Sequence, residues 1–231
     1  MSVPVGNPYS PAILEQGILI PDTVWCQPRI SFAEDWTLFQ ELTSSKIAQP
    51  IFNGSSQIFS CSWSILERFD VSLSLGTAQN KYRFLSNFGT IEGKVSGGMI
   101  WYGETKLILL EILDTGFSLF GEAGGSSFMK GPALLNEQPL KENSDFKMRF
   151  WKVGGAISQK IGPFVPYIGA FVCHSCWKGD FGDFFTIYLR QKKPVGALLG
   201  CSFSKGKVVS LNLEWRGWNE ESITISGELR W

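Results

Sequence analysis

The chain of 231 residues is short of charge and lacks any long apolar run. Only 18% of its residues are charged, against about 25% in typical globular chains. Its longest apolar stretch, LILL at 107–110, is far below the roughly 18–20 residues that a membrane-spanning helix needs. Lysine plus arginine equal aspartate plus glutamate at 21 each. The sequence therefore predicts no transmembrane helix and no general attraction to nucleic acid or to anionic membrane surfaces.

Histidine is represented once, and cysteine occurs five times. The CHSC spacing at 173–176 is that of redox motifs, but no βαβ pattern surrounds it and further metal ligands are missing. We predict neither a cofactor nor a metal site. An odd cysteine count in an exported protein implies at least one free thiol or an intermolecular bridge. The candidates for disulfides or free thiols are Cys26, Cys61, Cys173, Cys176 and Cys201.

Catalysis by His174, Ser175 and Cys176 is the one enzymatic alternative, as a membrane hydrolase or acyltransferase. A triad needs partners that converge in space, whereas adjacent residues on a strand point apart. We therefore expect that the protein is not an enzyme.

The N-terminus lacks a cationic, apolar secretory leader and an Arg-rich transit peptide, and Met1 lies almost directly before a proline-rich stretch. We expect a mature chain from which a signal has been removed. The alternative is a cytoplasmic protein that never carried one.

In place of long apolar runs, the sequence has stretches in which apolar and polar residues alternate. In the closing run ITISGELRW (223–231), odd positions are apolar or glycine and even positions are polar, as on the two faces of a β-strand. The same pattern recurs in FSCSWSI, FSLFGEA, WKVGGAIS, VGALLGCSF and KVVSLNLEW. Helical periodicity is almost absent, and only 11–20 suggests a short helix or turn.

The polar face of these strands is mostly small, with serine, glycine and threonine rather than long charged side chains. That composition suits a closed, crowded interior better than the solvent face of a sandwich. The tryptophans at strand ends suit the aromatic girdles of a membrane barrel. The sequence thus predicts an all-β fold, a transmembrane antiparallel up-and-down β-barrel of about 12 strands, with 10 as the alternative. A soluble lipocalin-like barrel, with its apolar face turned inward, is a less favoured alternative.

We place an irregular segment at 1–29, packing at or in the barrel, and the barrel domain at 30–231. Counting strands back from the C-terminus puts the longest apparent loop, at 126–145, on the periplasmic side. Long loops are not expected there, so this count predicts that a strand has been missed or that two have been joined.

Several stretches resemble the chlamydial major outer membrane proteins. They are VPVGNPYSPAILEQGILI (3–20), ERFDVSLSLGTAQNKY (67–82), PYIGAF (166–171), GALLGCSFSK and the closing ISGELRW. The resemblance implies an outer-membrane porin of a Gram-negative, chlamydia-like bacterium, often trimeric, that admits small hydrophilic solutes and is linked into the envelope by disulfides. It also implies that Gly227, Leu229 and Trp231 form the signal by which the barrel assembly machinery recognises the chain.

Our leading functional hypothesis is a passive outer-membrane diffusion pore surrounded by membrane lipid. The residues expected to face its lumen are Ser60, Ser62, Ser64, Glu122, Lys152, Asn212, Glu214, Arg216, Thr224, Ser226, Glu228 and Arg230. The alternative is a non-conducting envelope barrel, in which these charges pair across a closed interior.

Overall fold

The computed structural model describes residues 26–230 except 46, 66–67, 128, 141–142, 183–184, 206–208 and 219. The segment 1–25, with its predicted short helix or turn, and Trp231 lie outside the described residues. No helix in the described part is long and apolar enough to cross a membrane. The elements are β1 (Cys26–Thr43), β2 (Ala48–Ile65), β3 (Phe69–Ser86), β4 (Gly89–Ile112), β5 (Thr115–Ser126), β6 (Met129–Gly131), β7 (Ala133–Leu135), β8 (Gln138–Pro139), β9 (Ser144–Gln159), β10 (Phe164–Asp180), β11 (Thr186–Gln191), β12 (Val195–Lys205), β13 (Val209–Gly217) and β14 (Glu220–Arg230).

Ten strands form a closed ring in which every neighbouring pair is antiparallel: β1 to β5, β9, β10, β12, β13 and β14. Pairing of β14 with β1 and of β9 with β10 completes the closure. The predicted fold class is confirmed, with the alternative strand number of ten. The first strand begins at Cys26, inside the segment 1–29, because its opening residues pair with the end of β2 (Cys26 with Ile65).

Four short strands pair with strands of the ring but do not add further crossings of the barrel wall. β11 and β12 run in the same direction, and both pair with β10, so they are one crossing interrupted at residues 192–194. β6 lies beyond the end of β5 and pairs with both β4 and β9, while β7 pairs with β4 and β8 with β7. Counting these pieces as crossings gives a number above ten.

The same interruption corrects the placement of the 126–145 loop. Counting β11 and β12 as separate crossings reverses the direction assigned to every earlier strand. In the structure β5 runs away from the end of the barrel that holds Cys26 and Arg230, which we call the terminal end. The loop therefore lies at the opposite, distal end, and its assignment to the side of the termini is wrong.

The strands that close the ring are different at the distal end. The β13–β14 hairpin is short, and β1 continues past it to pair with β11 through Leu42 with Gln191 and Thr43 with Arg190. A register shift in β1 between Thr37 and Gln40 accompanies this exchange of partners. The distal part of the barrel is thus closed by β11 in place of the hairpin.

The alternation in the sequence separates the two faces of the wall. On β3, Ser72 and Ser74 are buried while Leu73 and Leu75 are exposed, because successive side chains of a strand point to opposite sides. Large exposed apolar side chains occur on the outer face of every long strand: Phe32, Phe59, Trp63, Leu73, Leu75, Trp101, Leu107, Leu119, Trp151, Val153, Ile168, Leu199, Leu211, Leu213 and Ile225. An apolar exterior around a polar interior is the pattern of membrane barrels.

Candidate functional site in the barrel interior

An ion-pair cluster around Arg216 occupies the interior near β13 and β14. The guanidinium contacts Asp35 and lies 3.1 Å from Oε1 of Glu214 and 3.4 Å from Oε1 of Glu220. Its Nε donates to Ser222 Oγ at 2.9 Å. The side chains of Arg216 and Glu214 are both 0% exposed. One cation therefore holds three buried carboxylates together.

Strand register explains why these residues meet. Glu214 and Arg216 are two apart on β13, so they share the inner face. Ser222 is the register partner of Arg216 on β14. Asp35 comes from the other side, because β1 pairs with β14 and places Asp35 opposite Thr224, whose hydroxyl donates to Asp35 Oδ1 at 2.5 Å.

Tyr167 on β10 connects this cluster to β12 and β13. Its hydroxyl lies 3.0 Å from Glu214 Oε2 and 3.0 Å from Asn212 Oδ1, and Ser202 Oγ donates to the same amide oxygen at 2.7 Å. The ring of Tyr167 lies over Gly200, its register partner on β12, where a Cβ would overlap the ring atoms. Glycine at 200 thus leaves the space that the tyrosine fills.

Two further lysine–glutamate pairs line the interior on β4, β5 and β9. Lys152 Nζ lies 2.5 Å from Glu122 Oε1, and these residues are register partners. The same ammonium lies 5.0 Å from the ring centroid of Phe171, within cation–π range. On β4, Lys106 Nζ lies 3.2 Å from Glu104 Oε1.

A separate cluster lies near the terminal end of β1, β2 and β3. Arg29 is 2.5 Å from Asp70 and 3.5 Å from Glu228, and Ser64 Oγ donates to Asp70 Oδ1 at 2.7 Å. Arg29 and Asp70 are buried, whereas Glu228 is partly exposed. We call the interior formed by the clusters of Arg216, Lys152, Lys106 and Arg29 the polar half.

Aromatic side chains fill the interior toward the distal end. The ring centroid of Phe146 lies 4.8 Å from Tyr82, 5.6 Å from Phe52 and 5.7 Å from Phe181, and Trp177 lies 5.1 Å from Phe52. All five side chains are at most 2% exposed. The hydroxyl of Tyr82 donates a hydrogen bond to Ser144 Oγ at 2.7 Å. We call this cluster the aromatic half.

The residues predicted to face the lumen lie on the inner face, but most of them are buried. Ser62, Ser64, Glu122, Lys152, Asn212, Glu214, Arg216 and Thr224 are buried, whereas Ser60, Ser226 and Glu228 are half-buried. The side chain of Arg230 lies outside the described residues. Of the predicted assembly signal, Leu229 is exposed on the outer face and Gly227 is half-buried, while Trp231 is not described. That signal stays a prediction.

Sequence reasoning missed six of the eleven residues that form ion pairs in the polar half. They are Arg29, Asp35, Asp70, Glu104, Lys106 and Glu220, together with the aromatic half. Their signal was present: Arg29, Ala33 and Asp35 alternate in RISFAED, and Tyr82 and Phe84 continue the inward series of Ser72 and Ser74 on β3. Aromatic residues on the otherwise small, polar face indicated where the interior is filled.

The cysteines are dispersed over both faces of the wall. Cys61, Cys173, Cys176 and Cys201 are free thiols, and the side chain of Cys26 lies outside the described residues. Cys173 points inward and contacts Gln191 Oε1 at 3.1 Å. Cys176 Sγ lies 3.2 Å from His174 Nε2 on the outer face, and Ser175 is buried on the inner one.

That geometry separates the three residues of the enzymatic alternative, since Ser175 and His174 point to opposite sides of the sheet. The close contact of His174 with Cys176 was not foreseen, although residues two apart on a strand share a face. In the part of the chain that the structure describes, no group of three His, Cys, Asp or Glu residues is arranged to hold a metal ion.

No protein-family model and no curated protein matches the chain. Among solved structures it is similar to the outer membrane protease OmpT from Escherichia coli, at 9% identity and a TM-score of 0.44, over 94% of this chain and 97% of that one. It is also similar to the translocator domain of the autotransporter NalP from Neisseria meningitidis (10% identity, TM-score 0.48, 95% and 91% covered). A third similar structure is the β domain of the Bordetella autotransporter BrkA (13%, 0.47, 89% and 99%). Alignments at these identities and TM-scores carry no information on activity.

Proposed function

We propose that the protein is an outer-membrane β-barrel with a closed interior, which serves the envelope as a non-conducting structural barrel. The apolar outer face supports a membrane location. On β10, outward apolar side chains run from Phe164 to Val172. At ~3.3 Å per residue and a tilt of ~45°, this stretch covers roughly 21 Å, close to the ~25 Å apolar band of such barrels.

The direction of the two faces argues against the lipocalin-like alternative. A carrier of that type turns its apolar face inward around a ligand. Here Leu73, Leu75 and their equivalents on other strands face outward, and charged side chains such as Arg216 and Lys152 face inward.

The observation that supports a closed interior is that the inward side chains are buried in both the polar half and the aromatic half. Glu214 and Arg216 in the polar half and Phe146 in the aromatic half are each 0% exposed. Side chains that line a water-filled lumen stay accessible to water, as in large porins. Burial at two successive levels favours a filled barrel, and the diffusion pore expected from the sequence stays a prediction.

Single-channel recording in planar lipid bilayers tests this proposal. We expect no conductance steps above the background of the lipid, because ions would have to displace both the Arg216 cluster and the aromatic half. An open diffusion porin inserted into the same bilayer is the positive control. Reproducible steps from the purified protein would instead establish a pore and reject the closed barrel.

Trimer formation and recognition by the assembly machinery remain expectations from the family resemblance. The absence of enzymatic activity remains an expectation from the sequence. Chemical crosslinking in detergent micelles addresses the first. Insertion into vesicles with Leu229→Asn, which removes an apolar side chain of the predicted signal, addresses the second.

A further inference from the structure

Charge is distributed unevenly between the inside and the outside of this barrel. The formal net charge is +0, yet the buried charged residues comprise six carboxylates and four cations. These are Asp35, Asp70, Glu104, Glu122, Glu214 and Glu220 against Arg29, Lys106, Lys152 and Arg216. Cations are correspondingly in excess elsewhere, and many of them lie on the outer face toward the distal end.

One group of outward cations lies on β9, β10 and β11. Cys176 is the register partner of Arg149 on one side and of Arg190 on the other. Lys178, the next outward residue on β10, is the partner of Lys147. Directly opposite residues have Cβ atoms about 4.5–5.5 Å apart. We call Arg149, Lys178 and Arg190, with Cys176 at their centre, the cationic patch.

Arg149, Lys178 and Arg190 form no ion pair with the residues that the structure describes. Within residues 26–230, apart from the gaps given above, no carboxylate lies within 4.0 Å of Arg149, Lys178 or Arg190. Other outward cations do have partners: Lys192 lies 3.0 Å from Glu41 and Lys130 lies 3.7 Å from Asp145. Lys178 is the diagonal neighbour of both Arg149 and Arg190, at about 7–8 Å and within reach of long side chains, so these like charges gain from a bound anion.

The position of the cationic patch along the barrel axis indicates which kind of anion it binds. On β9 the outward residues Ile157, Val153 and Trp151 are exposed and apolar, and Arg149 follows immediately. Trp151 packs beside His174 with ring centroids 6.3 Å apart. An outward tryptophan at the end of an apolar band marks the headgroup level of a membrane. The guanidinium groups of Arg149 and Arg190 therefore lie where lipid phosphates are found.

We propose that the cationic patch binds the phosphate group of an anionic, phosphorylated lipid in the leaflet at the distal end of the barrel. Guanidinium groups match phosphate oxygens in bidentate geometry, and Lys178 adds a point charge one row farther from the apolar band. The inference rests on the proposed membrane location, but not on whether the barrel conducts.

Native mass spectrometry of the protein released from detergent micelles tests lipid binding. The probes are bisphosphorylated lipid A, phosphatidylcholine and inorganic phosphate. We expect retention of lipid A, little retention of phosphatidylcholine, and about tenfold to thirtyfold weaker lipid A binding by the Arg149→Gln/Arg190→Gln variant. The matched control is Arg68→Gln/Lys160→Gln, which loses the same charge from the β2–β3 and β9–β10 connections at the terminal end and should bind like the parent.

Three outcomes would overturn the proposal. One is equal retention of lipid A and phosphatidylcholine, and another is equal weakening by both double variants. The third is displacement of lipid A by inorganic phosphate at equal concentration, which would identify a site for free anions. Conductance steps in a bilayer would reject the closed barrel without affecting any of these results, so the two proposals fail separately.

Cys176 offers a second, local readout. In a variant that keeps only this cysteine, an anionic methanethiosulfonate reagent should react faster than a cationic one, because Arg149 and Arg190 flank the thiol. Lipid A should slow the reaction. A variant that keeps only Cys176 and also carries Arg149→Gln and Arg190→Gln should show neither effect. Equal rates for the two reagents at Cys176, or no protection by lipid A, would contradict the proposal.

Discussion

Arg216 and Phe146 lie inside the same barrel, one in the polar half and one in the aromatic half, and both side chains are fully buried. Arg216 is held by three carboxylates and a serine hydroxyl. Phe146 is surrounded by the rings of Phe52, Tyr82 and Phe181. Ion pairs thus fill one part of the barrel interior, and aromatic rings fill the next part along the barrel axis.

The difference lies in how each half depends on its members. Buried charges are tolerated only when every one is paired, so the removal of one partner leaves an uncompensated charge. An aromatic cluster loses dispersion contacts and gains a cavity instead, and its neighbours can partly relax into that cavity. We therefore expect the polar half to be the more sensitive to single substitutions.

The largest effect is expected from Arg216→Met. The substitution keeps an unbranched chain of similar length but leaves Asp35, Glu214 and Glu220 without their shared cation. We expect a loss of free energy of unfolding in the upper part of about 3–5 kcal/mol. Urea-induced unfolding from phospholipid vesicles, followed by tryptophan fluorescence, measures it.

Arg83→Met is the matched control for Arg216→Met. Arg83 lies 3.9 Å from Glu92 with a side chain that is 71% exposed, and exposed pairs contribute up to about 1 kcal/mol. Equal destabilisation by the two substitutions would show that the Arg216 cluster does not depend on charge pairing.

A smaller loss is expected from Phe146→Ala in the aromatic half. Removing a fully buried ring costs about 3–5 kcal/mol, and we expect the lower part of this range because the surrounding side chains can partly collapse into the cavity. The same unfolding measurement applies, with Phe32→Ala, at an exposed outer position, as control. A loss for Phe146→Ala larger than that for Arg216→Met would reverse the comparison between the halves.

The barrel class followed from alternation because the period of two is a local property of the strand. It assigned Ser62, Glu122 and Arg216 to one face without knowledge of any partner strand. Strand number did not follow, since β11 and β12 look like two strands in the sequence. Only their common pairing with β10 shows that they are one crossing.

The pairing of the charges could not be read from the sequence for a similar reason. Asp35 meets Arg216 only because β1 closes the ring against β14, which brings together residues 181 positions apart. Closure depends on strand number and register, and neither is encoded locally. The aromatic half was foreseeable in part, because Tyr82, Phe84 and Phe146 interrupt an otherwise small and polar face.

The smallest effect, Gly200→Ala, tests how tightly the two kinds of packing are joined. Gly200 lies under the ring of Tyr167, and an added Cβ would overlap that ring. Tyr167 also contacts Glu214 and Asn212, so its displacement would disturb the polar half as well. We expect a loss of about 1–3 kcal/mol, as is usual for overpacking.

Gly103→Ala is the matched control for this substitution. The nearest atoms to a Cβ at Gly103 lie 3.9 Å away, which is ordinary van der Waals contact, so stability should change by no more than about 0.5 kcal/mol. A Tyr167→Phe change made together with Gly200→Ala separates the two contributions, because it removes the hydroxyl and keeps the ring. If the loss from Gly200→Ala comes only from overlap with the ring, it will be the same in both backgrounds. If it also comes from the displaced hydroxyl, it will be smaller when Phe replaces Tyr167, and the aromatic ring and the ion-pair cluster will then be energetically coupled.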